Sequence, residues 1–389
     1  MAATAIYASR ILTPHEEIVD SVIVVEDGKI TQIGHRDEVR VPPDAEHYAA
    51  GDKIVVPGFV DVHIHGAGGH DVMEGTEDAI AKVASTVARR GTTSIVATTV
   101  TAPPEDTCKS LDGIAHYIRG PRNTESRFAA EVLGIHLEGP FISSARRGVH
   151  PPDAIAQPSK ELFEEFAAAA DGFIRILTLA PELPGALDLI ERAIAKGIVA
   201  SMGHTDATYE QARAAIERGV THAAHVFNAM RPFSHRDTGV VGAVLTSPEV
   251  TAEVIADGHH VDSPAMEILL RAKGLDGVLL VSDGTAATGM RNGNYKLGNF
   301  EVTVTDGVVR NSEGKLAGST LTLDRALQKI VALGVPLLEA VRMATLLPAR
   351  RLGLGGKKGV IAVGADADIV ILNQDLRIAG VMTRGAGLA

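Results

Sequence analysis

The sequence has a single cysteine, Cys108, and no tryptophan, and aromatic residues make up only 4% of it. One thiol cannot form an intrachain disulfide, so the fold must be held by packing. The opening residues, Met-Ala-Ala-Thr-Ala-Ile-Tyr-Ala-Ser-Arg, lack the basic start and long apolar run of a secretory leader, so a reducing cytoplasm is the expected setting. No stretch reaches about 18 apolar residues without a charge, Gly or Pro, and no membrane-spanning helix is expected. Positive charge is in short supply too. Against 48 Asp and Glu stand 37 Lys and Arg, and the net charge of -11 disfavours nucleic acid or anionic lipid as partners. An anionic ligand would need a local group of cations.

What is present is apolar mass, 45% of 389 residues, enough for one large domain and a smaller one. The first ~55 residues read as short strands, with Asp27-Gly28 supplying a left-handed turn between Val22 to Glu26 and Lys29 to Gly34. The far end repeats this texture, since Gly359-Val-Ile-Ala-Val-Gly-Ala-Asp-Ala-Asp-Ile-Val-Ile-Leu sets β-branched runs on either side of a Gly/Asp turn. Neither end can close a sheet alone, so a small β-sandwich domain built from both termini, residues 1–56 plus 350–389, is expected.

Between them, residues 57–349 alternate strand and helix. Eight strand candidates stand out: Val55 to Ile64, Ser94 to Val100, Glu131 to Leu137, Ile174 to Leu179, Ile198 to Met202, His222 to Phe227, Thr251 to Ala256 and Val278 to Ser282. Connections such as Thr76 to Arg90, with Ile80, Val83 and Val87 near 3.6-residue spacing and Gly91 at the end, are helical. Eight βα units suggest a (β/α)8 TIM-type barrel, an α/β fold whose chemistry sits at the C-terminal ends of its strands. The polar residues fall there. Strand one runs into His63 and His65, strand three into Glu138, strand five into His204, strand six into His225 and strand eight into Asp283. His, Glu and Asp are ligands that zinc or iron accepts, and His-x-His on a strand puts both rings on one face.

On these residues the chain resembles the N-acetylglucosamine-6-phosphate deacetylase family of the amidohydrolase superfamily. The motifs that carry the resemblance are Pro57-Gly-Phe-Val-Asp-Val-His-Ile-His-Gly, His136-Leu-Glu-Gly-Pro-Phe, Gly203-His-Thr-Asp-Ala, His225-Val-Phe-Asn-Ala-Met, Ala256-Asp-Gly-His-His-Val-Asp and Val281-Ser-Asp-Gly-Thr. The first and last recur across the superfamily, whereas Glu138 and Asn228-Ala229 are specific to the deacetylases. The resemblance implies a main metal site of Glu138, His204 and His225, and a second ion on His63 and His65 with Glu138 bridging. Some similar enzymes lack the His-x-His pair, so one or two divalent ions per subunit are implied, zinc first and iron also suited to the donors.

The implied reaction converts N-acetyl-D-glucosamine 6-phosphate to D-glucosamine 6-phosphate and acetate, in amino-sugar catabolism and cell-wall sugar recycling. Asp283, beside the metal, would act as general base and then as acid. His150, in Gly148-Val-His-Pro-Pro, matches a histidine that helps polarise the acetyl carbonyl. Arg236 is the leading phosphate ligand, because a guanidinium presents a planar fork. The resemblance adds Val149, Asn228, Ala229 and His260 as substrate contacts, with Leu316, Ala317 and Gly318 as a further wall. It also implies a homodimer in which Arg236 serves the neighbouring subunit's site.

Three rivals remain. A cyclic-amide hydrolase would commonly carry a metal-bridging lysine on strand four, but here that strand ends Thr178-Leu-Ala-Pro-Glu182 without one. A deaminase on the same barrel would release ammonia in place of acetate. A silent sugar-phosphate sensor would have no need of Asp283.

Overall fold

The computed structural model describes residues 3–121, 123 and 128–388. Four strands open the chain: β1 (Thr4–Leu12), β2 (Glu17–Glu26), β3 (Lys29–His35) and β4 (Glu46–Pro57). The hairpin expected at Asp27-Gly28 is there, with φ of 47° and 76° at the two turn residues. A side chain at Gly28 would also press a Cβ to within 2.8 Å of the Arg384 carbonyl. β1 pairs antiparallel with β2 and parallel with β4.

The barrel follows as β5 (Phe59–Ile64), β6 (Thr92–Thr98), β7 (Glu131–Glu138), β8 (Ile174–Leu179), β9 (Val199–Met202), β10 (His222–Ala223), β11 (Thr251–Ile255) and β12 (Val278–Val281). Each strand runs parallel to the next. A parallel bridge between Ile64 and Gly284 brings the last strand back to the first. Every residue of β5, β6 and β12 is buried, as a strand filled from inside and roofed by helices must be. The first such helix spans Glu77–Ala88. Thr76 caps it, and it turns Ile80, Val83 and Val87 onto the barrel. The fold is the expected (β/α)8 barrel.

Three strand expectations need adjusting. The run Val55 to Ile64 is two strands, because Pro57-Gly58 passes the chain from the terminal sheet into the barrel. A Cβ at Gly58 would lie 2.2 Å from Thr93 Oγ1. His222 to Phe227 shortens to two residues, since the backbone leaves extended geometry to turn His225 inward. Val360 to Val363 forms no strand, whereas the second run beyond the Gly/Asp turn is a strand at Ile369–Leu372 as expected; an antiparallel sheet not expected from sequence is inserted earlier, after the eighth barrel strand.

That insert, β13 (Gly293–Leu297), β14 (Phe300–Thr305) and β15 (Val308–Arg310), shares a small core with Val100 and Ala317 at the barrel mouth. The chain ends in β16 (Ile369–Leu372) and β17 (Ile378–Met382). These join the opening strands in one six-stranded sheet of order β17-β16-β4-β1-β2-β3, with its own core around Ile6, Ile23, Val55 and Ile369. Where this sheet meets the barrel floor, buried Lys358 lies 2.5 Å from Glu131, 2.8 Å from Asp368 and 3.0 Å from Asp366.

Candidate active site

Glu138, the last residue of β7, is the hub. His225 Nε2 lies 3.0 Å and His204 Nε2 3.3 Å from its Oε1, with His63 Nε2 at 3.4 Å. His65 Nε2 is 3.5 Å and His150 Nε2 3.7 Å from its Oε2. Asp283 Oδ1 faces the same point, 3.1 Å from His65 Nε2 and 3.7 Å from His63 Nε2. All seven side chains are buried. The residues expected to bind metal therefore converge from five separate strands.

Hydrogen bonds on the outer ring nitrogens decide what these imidazoles offer inward. His65 Nδ1 is 3.0 Å from the Thr98 carbonyl and His204 Nδ1 is 3.1 Å from the Arg146 carbonyl. His63 Nδ1 is 2.8 Å from Glu253 Oε2. A carbonyl or carboxylate can only accept, so each Nδ1 carries the proton and each Nε2 turns a lone pair toward Glu138. Lone pairs facing a carboxylate at such range call for a cation between them. His63 Nε2, buried and without a hydrogen-bond partner, is such an unmet donor atom. The donor set fits a divalent metal: the ligand atoms of His63, His65 and Glu138 lie within 4.8 Å of one another, and His204 and His225 close on the same carboxylate.

His150 is arranged the other way. The Thr101 backbone N–H donates to its Nδ1 at 3.2 Å, with Thr101 Oγ1 at 2.7 Å. An N–H can only donate, so this ring is protonated on Nε2 and presents a donor to the cavity. Burial, reinforced by His204, drives its pKa well below the ordinary histidine value and keeps it neutral.

Burial alone would raise Glu138, but His63, His204 and His225 outweigh it and hold the carboxyl well below its usual range. Asp283 is likewise depressed against burial, by its bond to His65 and the charge of His63. It stands ready as a carboxylate.

The backbone here is unusual. His204, His225, Phe227, Ala229 and Asp283 all have positive φ, between 25° and 81°. Such conformations cost on the order of 1–3 kcal/mol each and persist where the surroundings over-determine them. At His204, His225, Ala229 and Asp283 they aim the side chains into a cavity of about 200 Å³, whereas Phe227 packs against the barrel core.

Val149, Asn228, Ala229, His260, Leu316 and Gly318 line this cavity, as expected. The Asn228 amide donates to the His225 carbonyl at 3.2 Å, and Asp257 fixes His260 through Nδ1 at 2.7 Å. Ala317 points away into the core beneath the inserted sheet. Arg236 is exposed on a loop and is not among the residues lining the cavity.

Several contributors were not anticipated from sequence. Val100 and Leu297 supply apolar wall. Asp61 accepts from the backbone N–H groups of His63 and Ser282, tying strand eight to strand one, and burial lifts its pKa to about 6. Glu253 backs His63, and its signal was a lone acid within the apolar run Thr251-Ala-Glu-Val-Ile-Ala.

A model of the amidohydrolase family matches residues 54–386. An N-acetylglucosamine-6-phosphate deacetylase of Vibrio furnissii is 38% identical over 97% of this chain and 93% of its own length. An N-acetylgalactosamine-6-phosphate deacetylase of Escherichia coli O157:H7 is 36% identical over 97% of each. Among solved structures, N-acetyl-D-glucosamine-6-phosphate deacetylase from Mycobacterium smegmatis superposes with a TM-score of 0.91 at 36% identity, covering 99% of this chain and 100% of that one. The chain belongs to the amidohydrolase family and, within it, to the N-acetylglucosamine-6-phosphate deacetylases.

Proposed function

We propose that this site hydrolyses the amide of N-acetyl-D-glucosamine 6-phosphate, giving D-glucosamine 6-phosphate and acetate. The observation that carries the reading is the carboxylate of Glu138 ringed by five imidazoles with Asp283 facing them. Glu138, His204 and His225 would hold the main ion, and His63 and His65 a second with Glu138 shared, zinc suiting both. When bound, the ion supplies positive charge that acidifies water and polarises a carbonyl.

The chain's own groups do the rest. Asp283 takes a proton from the attacking water as its oxygen bonds the acetyl carbon. His150 Nε2–H donates to the carbonyl oxygen, where negative charge develops. The C–N bond then breaks, and Asp283 returns the proton to the departing sugar nitrogen. The acid's remaining hydroxyl proton passes to the amine, so acetate and the protonated amino sugar result and the base is regenerated.

The phosphate needs cations that this cavity's lining does not contain, which is why Arg236 matters. It lies exposed on a loop, three residues after Phe233, itself 52% exposed, with no ion pair among the described residues. That placement supports a homodimer in which each Arg236 serves the other subunit's phosphate. The same proposal divides the chain into a β domain of residues 1–56 and 350–389 and a catalytic barrel of 57–349, working in the cytoplasm. No helix among the described residues is long and apolar enough to cross a membrane.

The relative acting on the galactosamine epimer makes that sugar a second candidate substrate. Kinetics on both epimers, with acetate and ammonia measured and metal content determined on the same sample, test the reading. Acetate release with stoichiometric metal supports it. Ammonia without acetate, or a metal-loaded protein inert on both epimers, overturns it.

A further inference from the structure

We propose that Glu253 is the positioning residue that makes His63 a metal ligand, and that it sets the affinity of the second ion in particular. The inference rests on the two-ion reading above. Glu253 sits in the middle of β11 and is fully buried. Its Oε2 takes His63 Nδ1 at 2.8 Å and the backbone N–H of His225 at 3.0 Å, and its Oε1 meets His222 Nε2 at 2.8 Å. His222 is held in turn by Thr251 Oγ1 at 2.7 Å. A buried carboxylate costs several kcal/mol unless it is paired and hydrogen-bonded, so a site that retains one this thoroughly engaged uses it.

The contrast with its neighbours indicates for what. His65 and His204 are oriented by main-chain carbonyls, whereas His63 leans on an ionised side chain. A carboxylate acceptor fixes the tautomer as a carbonyl does, but it also makes the opposite nitrogen more basic and a stronger ligand. His63 Nε2, directed at Glu138 and Asp283, is that nitrogen.

A rival use of the same residues is a separate metal site of His63, His136 and Glu253, whose ligand atoms also lie within 4.8 Å. His136 has nothing to give it. Its Nδ1 is 3.1 Å from the Val62 carbonyl and its Nε2 2.7 Å from Thr178 Oγ1, so both nitrogens are spent. Glu253 acts through His63.

The test is calorimetric titration of chelator-stripped full-length protein with Zn²⁺ alone, without substrate. Glu253→Gln keeps shape and, with its oxygen toward His63 and His225, their acceptor; it removes the charge and turns an NH2 toward His222 Nε2 in place of Oε1. Glu253→Leu removes the acceptor. A His63→Gln, His65→Asn double variant identifies which binding event belongs to the second ion. In Glu253→Gln the second ion should weaken about 10- to 100-fold while the main ion stays within about 3-fold, and Glu253→Leu should lose the second ion. Parental affinity for both ions in both variants, or an equal loss at both sites, overturns the proposal, since general loosening of the barrel would not distinguish the ions. If the parent itself takes up fewer than two ions, the two-ion reading fails in the control and the proposal falls with it.

Discussion

Replacing Lys358 with Met removes the cation that three carboxylates share between the terminal sheet and the barrel floor. Lys358 is 1% exposed, Asp368 3%, Asp366 8% and Glu131 18%, so solvent cannot take its place. Breaking a buried pair from one side costs about 3–5 kcal/mol. Two partial substitutes remain, Lys29 at 2.5 Å from Asp366 and Arg384 at 3.7 Å from Glu131. They place the loss near the low end, about 3 kcal/mol. With an unfolding entropy of roughly 2.1 cal/mol/K per residue, a chain of 389 residues should melt ~4 °C lower. The pH dependence has a definite sign. Burial would raise the Asp366 carboxyl, but Lys358 and Lys29 hold it below its usual range. Asp366 therefore stabilises the fold above the unfolded value near ~3.9, and that contribution disappears as pH falls through the lower folded value. The Lys358 ammonium is raised, so its own contribution is lost only in strong alkali. Thermal unfolding of parent and variant from pH 8 to about pH 2 should show a gap that holds down to about pH 4 and narrows only below it. A variant that melts within about 1 °C of the parent at pH 7 would refute the claim that this cluster joins sheet to barrel. Turnover of the folded variant should be unchanged, because Glu131 and Glu138 are the two ends of the eight-residue β7, roughly 23 Å apart.

Asp283→Asn keeps its shape but cannot take a proton, so turnover should fall about 10²- to 10⁴-fold with folding and metal content intact; near-native turnover would dismiss Asp283 as the base. If Arg236 holds the phosphate as proposed, unphosphorylated N-acetylglucosamine should be a poor substrate in kcat/KM, because charge-assisted bonds outweigh a methyl contact, and equal efficiency would undo the phosphate assignment. Mixing Asp283→Asn with Arg236→Ala under subunit exchange should restore roughly a quarter of parental activity if Arg236 serves the partner's site. Confirmed exchange without recovery would confine the arginine to its own subunit.

Most of the residues that converge on Glu138 were legible because they obey barrel arithmetic. His63, His65, Glu138, His204, His225 and Asp283 all follow apolar runs, and a strand end is one place in a TIM barrel. The supporting groups were not legible, because their evidence is a cross-strand distance. Nothing local in Thr98 or Arg146 says that their carbonyls fix His65 and His204, and Glu253 was hidden within a strand scored as apolar. Arg236 stands out as a residue type in the sequence, yet its place outside the cavity lining emerges only from the fold. The inserted sheet β13–β15 escaped notice because it is short and half exposed, with alternation too brief to separate from loop.

The route by which the terminal sheet is completed bears on how the chain is made. β4 pairs on one side with β1, available at once, and on the other with β16, which begins at Ile369. Residues Ile54–Pro57 therefore leave the ribosome with a bare hydrogen-bonding edge and wait while about 310 residues are added, on the order of 15–60 s at 5–20 residues per second. Throughout that interval the nascent chain carries an unpaired apolar strand, the condition that recruits holding chaperones or seeds association between neighbouring chains on a polysome. A chain released early, before Ile369–Leu372, would keep its barrel ligands in sequence and still expose that edge.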